Sequence, residues 1–239
     1  MQKILHYCWF GNAIIPSKYL KYIEGWKKEC NDYQIVLWNE ENFPIDQYNY
    51  AREAYEMKKY AFVSDVARIY ALYEYGGVYF DTDVEIIKNI DELLNLNKIV
   101  LGWESKKNEV PILGTGFMIF PPKSYLCKKI LDYYKKTNFI NKDGTINEKP
   151  NTYLIKEMLF ELYNDIECNE IFENKDIVIY PFDYFTAFDF YLNKSEITNN
   201  TYVIHHFSSS WIGKRRKAKK LFMILITRIK MILNRRNRC

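Results

Sequence analysis

Gly76-Gly77-Val78-Tyr79-Phe80-Asp81-Thr82-Asp83-Val84-Glu85 is the stretch whose reading decides the fold. Two adjacent glycines end the helical pattern before them, because glycine enters left-handed backbone at no steric cost. Val78-Tyr79-Phe80 then reads as a short buried strand. Asp81 and Asp83 follow as that strand runs out, and residues two apart on an extended chain share a face. Two carboxylates held side by side repel unless a cation lies between them. Oxygen ligation on so short a spacing suits Mg²⁺ or Mn²⁺, which take one or two carboxylates and complete their shell with substrate phosphates. The expectation is a metal-bridged diphosphate at the carboxyl edge of an α/β sheet, where such folds bind ligands. Read alone, the same spacing also describes a solvated acidic loop. Its surroundings decide.

Immediately upstream, residues 60–75 carry apolar side chains at helical spacing: Phe62, Val66, Ile69, Leu72 and Tyr73. Asp65 and Arg68 are three apart and so share one face of that helix. On a wet surface they would form an ion pair of a few tenths of a kcal/mol. Their apolar neighbours, and a helix that runs straight into the acidic strand, place them instead in a cleft or in the interior.

Outward from this unit the chain alternates strands and helices. Strands are expected at 3–9, 34–38, 78–80, 84–87, 99–103, 116–120, 177–180 and 202–206. Helices are expected from Ser17 to about Glu29, across about 46–75, and over about 124–136 and 151–164. Such alternation predicts a mostly parallel sheet covered on both faces, completed by the last strand. The 239 residues fit one domain with a sizeable core, and 48% hydrophobic content excludes general disorder. The five cysteines are odd in number, scattered and without a C-x-x-C pair, so a reducing cytoplasm is expected. No apolar signal core opens the chain and no stretch of 18 apolar residues occurs. Charge is uneven: residues 214–239 hold 11 of the 34 Lys and Arg and none of the 30 Asp and Glu, leaving the body net acidic. We therefore expect a catalytic domain over 1–213 and a basic amphipathic helical tail over 214–239.

Four segments together carry a resemblance: Ile4-Leu5-His6-Tyr7-Cys8-Trp9-Phe10-Gly11, Ser64-Asp65-Val66-Ala67-Arg68, the glycine-aspartate stretch above, and His205-His206-Phe207-Ser208-Ser209-Ser210-Trp211. In order and separation they resemble glycosyltransferase family 32, the DXD-containing sugar transferases. That family includes bacterial capsule and lipopolysaccharide enzymes, yeast initiating α-1,6-mannosyltransferases and, more distantly, the glucosylating domains of clostridial toxins. The resemblance implies the nucleotide-sugar-binding form of the α/β architecture known as GT-A. It also implies Asp65 and Arg68 as sugar-positioning residues, with Asp81 and Asp83 on the metal. Trp9 alone reads as a core tryptophan; the toxin branch makes it a platform for uracil. Tyr79 is either a buried structural residue or a hydrogen-bond donor to ribose or phosphate. The ligand position five before Trp211 falls on His206, which leaves His205, on the opposite strand face, structural or supporting. An imidazole beside two carboxylates shifts the preference from Mg²⁺ towards Mn²⁺. Ser209 and Trp211 are expected at the metal or the donor phosphates. Relatives usually carry an asparagine where this chain has Gly114-Thr115-Gly116; Asn151 reads as a helix cap and only weakly as an acceptor-site residue.

The resemblance thus implies a retaining, metal-dependent transferase that moves a sugar from a UDP-linked donor to a hydroxyl of a growing glycan or lipid-linked oligosaccharide, as in bacterial capsule, exopolysaccharide or lipopolysaccharide synthesis. A nucleotide-sugar hydrolase or pyrophosphorylase could use the same diphosphate site; the latter would carry a Gly-rich basic loop, and Trp9-Phe10-Gly11-Asn12 is not one. A non-catalytic glycan-binding protein would have no need of the acids. The tail, Lys214 to Lys220 followed by Leu221-Phe222-Met223-Ile224-Leu225-Ile226, fits an interfacial helix on an anionic membrane surface at the cytoplasmic face. Nucleic acid is disfavoured as a partner by the acidic body.

Overall fold

The computed structural model describes residues 1–106, 109–190 and 192–208. Eleven strands appear among them: β1 (Ile4–Cys8), β2 (Gln34–Trp38), β3 (Gly77–Phe80), β4 (Val84–Ile86), β5 (Ile99–Gly102), β6 (Phe117–Phe120), β7 (Phe172–Glu173), β8 (Ile177–Tyr180), β9 (Phe188–Asp189), β10 (Lys194–Ser195) and β11 (Val203–His205). The helices are α1 (Ser17–Glu29), α2 (Asn49–Glu56), α3 (Tyr60–Tyr75), α4 (Asp91–Asn95), α5 (Tyr125–Lys136), α6 (Asn151–Phe160) and α7 (Phe182–Phe185). Seven strands form one sheet in the order β2-β1-β3-β6-β5-β8-β7. β1 runs parallel to β2 and β3, and β5 parallel to β8, while β6 opposes both its neighbours and β7 opposes β8. The sheet is therefore mixed but mostly parallel, as the alternation predicted.

β3 shows why the sheet needs cover on both sides. All four of its residues are buried. Val78 and Phe80 face a core that includes Trp26 of α1 and Leu94 of α4, while Tyr79 faces the opposite core with Val66 and Ile69 of α3. Strict period-two alternation thus serves two apolar layers. The glycine that opens β3 is required by geometry. Gly77 has φ +94°, and a Cβ there would lie 2.4 Å from the Ile4 carbonyl oxygen. α3 therefore ends at Gly76, and the backbone passes tightly beside β1 to enter β3.

The expectation that the last strand completes the sheet is not met. β11 pairs antiparallel with β4 in a separate two-stranded ribbon, with His205 opposite Val84. The chain leaves β3 through a turn closed by the Val84 N–H donating to the Asp81 carbonyl at 3.0 Å. That turn redirects β4 out of the main sheet, and β11 follows β4. The tail over 214–239 lies outside the described residues, and among those described no helix is long and apolar enough to cross a membrane.

Candidate active site

At the carboxyl ends of β1 and β3 lies a cleft of about 970 Å³. Trp9, Asp65, Arg68, Asp81, Asp83 and His205 are among its lining residues. Asp81 and Asp83 do converge, but through the turn that follows β3 and not along an extended strand. Their partners divide cleanly. The Tyr79 hydroxyl donates to Asp81 Oδ1 at 2.9 Å, because residues 79 and 81 leave β3 on one face. Arg68 Nη2 lies 3.3 Å from the same oxygen. Asp83 accepts the Ser208 N–H at 2.6 Å and sits 3.3 Å from His205 Nε2.

The histidine beside the acids is not the one expected from the sequence. His205, and not His206, reaches the acids: Asp81, Asp83 and His205 offer ligand atoms within 4.8 Å of one another. His206 turns away, bonding Glu85 at 2.7 Å and stacking on Tyr22 with ring centroids 5.1 Å apart. The two histidines do lie on opposite faces, as strand geometry requires. Which face meets the acids is set by the pairing of β11 with β4, and the count back from Trp211 carries no knowledge of that pairing. Ser209 and Trp211 lie outside the described residues.

Asp65 and Arg68 form a buried pair on α3, Nη2 to Oδ1 at 3.1 Å, with side chains only 12% and 7% exposed. Arg68 also donates to the Thr115 carbonyl at 2.9 Å through Nη1, and its guanidinium lies 4.8 Å from the Tyr79 ring centroid. Burial pushes the Asp65 carboxyl up to about 6, against the opposing pull of Arg68. Burial alone would lower the Arg68 pKa, but attraction from Asp81, Tyr79 and Asp65 outweighs it and holds the guanidinium charged. Likewise Asp83 is held below the usual carboxylate range, because His205 outweighs the cost of burial. His205 is in turn raised well above an ordinary histidine, burial being overcome by Asp83 and then Glu104.

Trp9 is half-buried at the cleft wall, its Nε1 donating to the Ala13 carbonyl at 2.6 Å. One edge of the indole is therefore fixed. Two cleft residues, Thr115 and Glu104, escaped the motif reading as site residues, and a third, Asn151, is placed differently from the expected cap. Thr115 acts through its carbonyl, an atom that no residue type advertises. Asn151 is no side-chain cap; its Nδ2 donates to the Asp65 carbonyl at 2.8 Å, and its Oδ1 accepts from Tyr134. Glu104, just past β5, places Oε1 3.5 Å from His205 Nδ1. His6, the remaining histidine, is structural: Nε2 donates to the Gly76 carbonyl at 2.9 Å while Nδ1 accepts from Trp38 at 3.1 Å.

Two carboxylates and an imidazole on converging elements are a donor set that fits a divalent transition metal. The family model for a glycosyltransferase sugar-binding region containing a DXD motif matches residues 16–100, and within that span Asp81-Thr82-Asp83 is the D-x-D. That span of the chain is therefore similar to the sugar-binding region of the DXD-containing glycosyltransferases. It is 25% identical over 229 residues to an uncharacterized glycosyltransferase of Acanthamoeba polyphaga mimivirus, covering 92% of this chain and 87% of that one. Inositol phosphoceramide mannosyltransferase 3 of Schizosaccharomyces pombe is 36% identical over 101 residues, covering 39% of this chain and 27% of the yeast protein. The chain thus spans about a quarter to a third of the length of the yeast mannosyltransferases it matches. Among solved structures, the PaToxG glycosyltransferase superposes with a TM-score of 0.55 at 15% identity, covering 68% of this chain and 70% of that one. A glycosyltransferase involved in glycosylation of the major capsid of PBCV-1 gives 0.50 at 12% identity, covering 92% and 98%. These likenesses establish the fold as GT-A-like.

Proposed function

We propose that this chain transfers a hexose from a nucleoside-diphosphate donor, UDP-linked, to a hydroxyl of a growing glycan or lipid-linked oligosaccharide, with retention of configuration. The observation that carries this reading is the cluster of Asp81, Asp83 and His205 opening into a cleft with Trp9 on one wall and Asp65–Arg68 beneath. Asp81, Asp83 and His205 would hold Mn²⁺ in preference to Mg²⁺. A bound cation supplies Lewis-acid stabilisation of charge on the leaving diphosphate. Arg68 and Asp65, locked by burial and by Thr115 and Asn151, orient the sugar through its hydroxyls, which is a proximity effect. Trp9, on the cleft wall, would stack on the base. In the front-face route we favour, the bond from the anomeric carbon to the diphosphate oxygen breaks, the acceptor oxygen bonds that carbon, and the acceptor proton passes to the departing phosphate.

Relatives named for inositol phosphoceramide and, in mouse, for lactosylceramide favour an acceptor displayed on a lipid. The basic apolar tail over 214–239 suits such an acceptor by holding the enzyme at an anionic membrane surface. Capsule, exopolysaccharide or lipopolysaccharide synthesis are settings in which both features apply. A panel of UDP- and GDP-sugars with Mn²⁺, read by nucleotide release and by mass of the product, tests the reaction. Acceptor-dependent product supports transfer, whereas free sugar that forms equally without acceptor would favour the hydrolase. Full-length protein that fails to sediment with anionic liposomes at low salt would defeat the membrane role.

A further inference from the structure

Glu104 belongs to none of the sequence motifs, yet its placement is tightly determined. Its N–H donates to the Ile112 carbonyl at 2.8 Å, Trp103 bridges Leu113, and the Gly114 N–H donates to the Gly102 carbonyl at 2.7 Å. These bonds bring residues 112–114 back against 102–104 and turn the Glu104 side chain, 15% exposed, into the cleft. The packing leaves no slack: a Cβ on Gly114 would come within 3.3 Å of Glu104 Cγ.

The Glu104 carboxylate meets one edge of the His205 imidazole and the aspartates meet the other. Oε1 lies 3.5 Å from Nδ1, while Nε2 lies 3.3 Å from Asp83 Oδ1 and 3.9 Å from Asp81 Oδ2. The ring is also confined on its faces. The Phe207 ring centroid is 4.2 Å away, and a Cβ on Gly116 would lie 2.7 Å from His205 Cε1. An imidazole offers a single lone pair to a metal, and the nitrogen that carries it is the one whose partner nitrogen keeps the proton. Metal-binding histidines commonly donate that remaining N–H to a carboxylate or carbonyl, which fixes the tautomer and the ring orientation.

We propose that Glu104 is a positioning residue for the cation cluster: it accepts the Nδ1–H of His205 and so presents Nε2, lone pair outward, alongside Asp81 and Asp83. This rests on the cation site proposed above. The test is direct metal binding by the full chain, with no donor sugar, using Mn²⁺ followed by the resonance of the free ion and Co²⁺ followed by its visible absorption. Wild type should bind both ions, and Asp83→Ala should lose them. Glu104→Ala should weaken Mn²⁺ binding about 10- to 100-fold and alter the Co²⁺ spectrum. Glu104→Gln, whose amide oxygen still accepts a hydrogen bond, should fall between Glu104→Ala and wild type. Gly116→Ala, which pushes on the ring from another side, should weaken binding with an intact Glu104. If Glu104→Ala destabilises the fold, Glu104→Gln and Gly116→Ala decide the matter. Wild-type affinity and spectrum in the Glu104 variants, alongside loss in Asp83→Ala, would overturn the positioning role and leave the cation site standing. Equal binding by wild type and Asp83→Ala would instead overturn the cation site itself.

Discussion

Arg68→Met is the perturbation that most sharply separates a structural ion network from a solvated one. Arg68 bridges two carboxylates, 3.1 Å from Asp65 and 3.3 Å from Asp81, with 7% of its side chain exposed. Methionine preserves much of the apolar stem and its packing while deleting the charge and the bond to the Thr115 carbonyl. Removing one partner of a buried pair costs about 3–5 kcal/mol, because the other is left charged and unsolvated. For a domain of this size that lowers the melting temperature by roughly 6–20 °C. The loss should depend on pH. Burial already pushes the Asp65 carboxyl up to about 6 in the fold, against 3.8 for an ordinary aspartate. Without Arg68 its folded pKa rises further. An acid whose folded pKa is raised favours the folded state at low pH and loses that contribution as pH rises. The gap between Arg68→Met and wild type should therefore be wide at pH 7.5 and narrower at pH 5, measured by urea denaturation in parallel. Asp65→Asn combined with Arg68→Met should recover part of the loss at pH 7.5, a coupling that a double-mutant cycle measures. A gap under about 1 kcal/mol at both pH values, with additive single effects, would show the pair to be a solvent-screened surface bridge and refute the reasoning.

Three further outcomes follow from individual contacts. His205→Ala should raise the Mn²⁺ concentration needed for nucleotide release by roughly tenfold or more, whereas His206→Ala, which loses a half-exposed pair with Glu85, should not; the reverse ranking would restore His206 as the ligand. Trp9→Ala should weaken UDP binding by about 1–3 kcal/mol, or roughly 5- to 150-fold, in calorimetric titration, and an unchanged affinity in folded protein would remove the base-stacking role. Burial holds His6 down at about 4 from 6.5, so the unfolded chain binds more protons between those values; stability is fully present above 6.5 and falls by roughly 3 kcal/mol as pH drops towards 4. That slope should be missing from His6→Gln, and identical pH profiles for the two proteins would contradict it.

What the sequence disclosed, and what it withheld, divides by the range of the signal. The helix ending at Gly76, the buried strand behind it and the pair of acids are all local: period, glycine and spacing announce them within ten residues. α1, β2 and β8 were legible for the same reason. The antiparallel insertion of β6 between β3 and β5 was not, because Phe117–Phe120 is apolar on every residue and so carries no mark of direction. The choice between His205 and His206 required the register of β11 on β4, a pairing between residues more than a hundred positions apart. Glu104 and Asn151 join the site through contacts of the same long range. Asn151 followed a proline at a helix start, where a cap was the natural local reading; the tertiary contact to Asp65 took precedence.

The opening expectation was that Asp81 and Asp83 would repel each other unless a metal lay between them. In the structure each acid also has its own counter-charge. Asp81 is held by Arg68 and by the Tyr79 hydroxyl, and Asp83 by His205 and by the Ser208 N–H. These partners come from separate parts of the chain: α3 supplies one cation and β11 the other. The division has a consequence for how the site can act. Arg68 is buried and fixed by the Thr115 carbonyl and by Asp65, so its charge remains in place whatever binds. His205 can exchange its proton for a metal, since a ligating imidazole must be neutral. A divalent cation at the proposed site would replace a proton on one side while the other side stays neutralised by arginine.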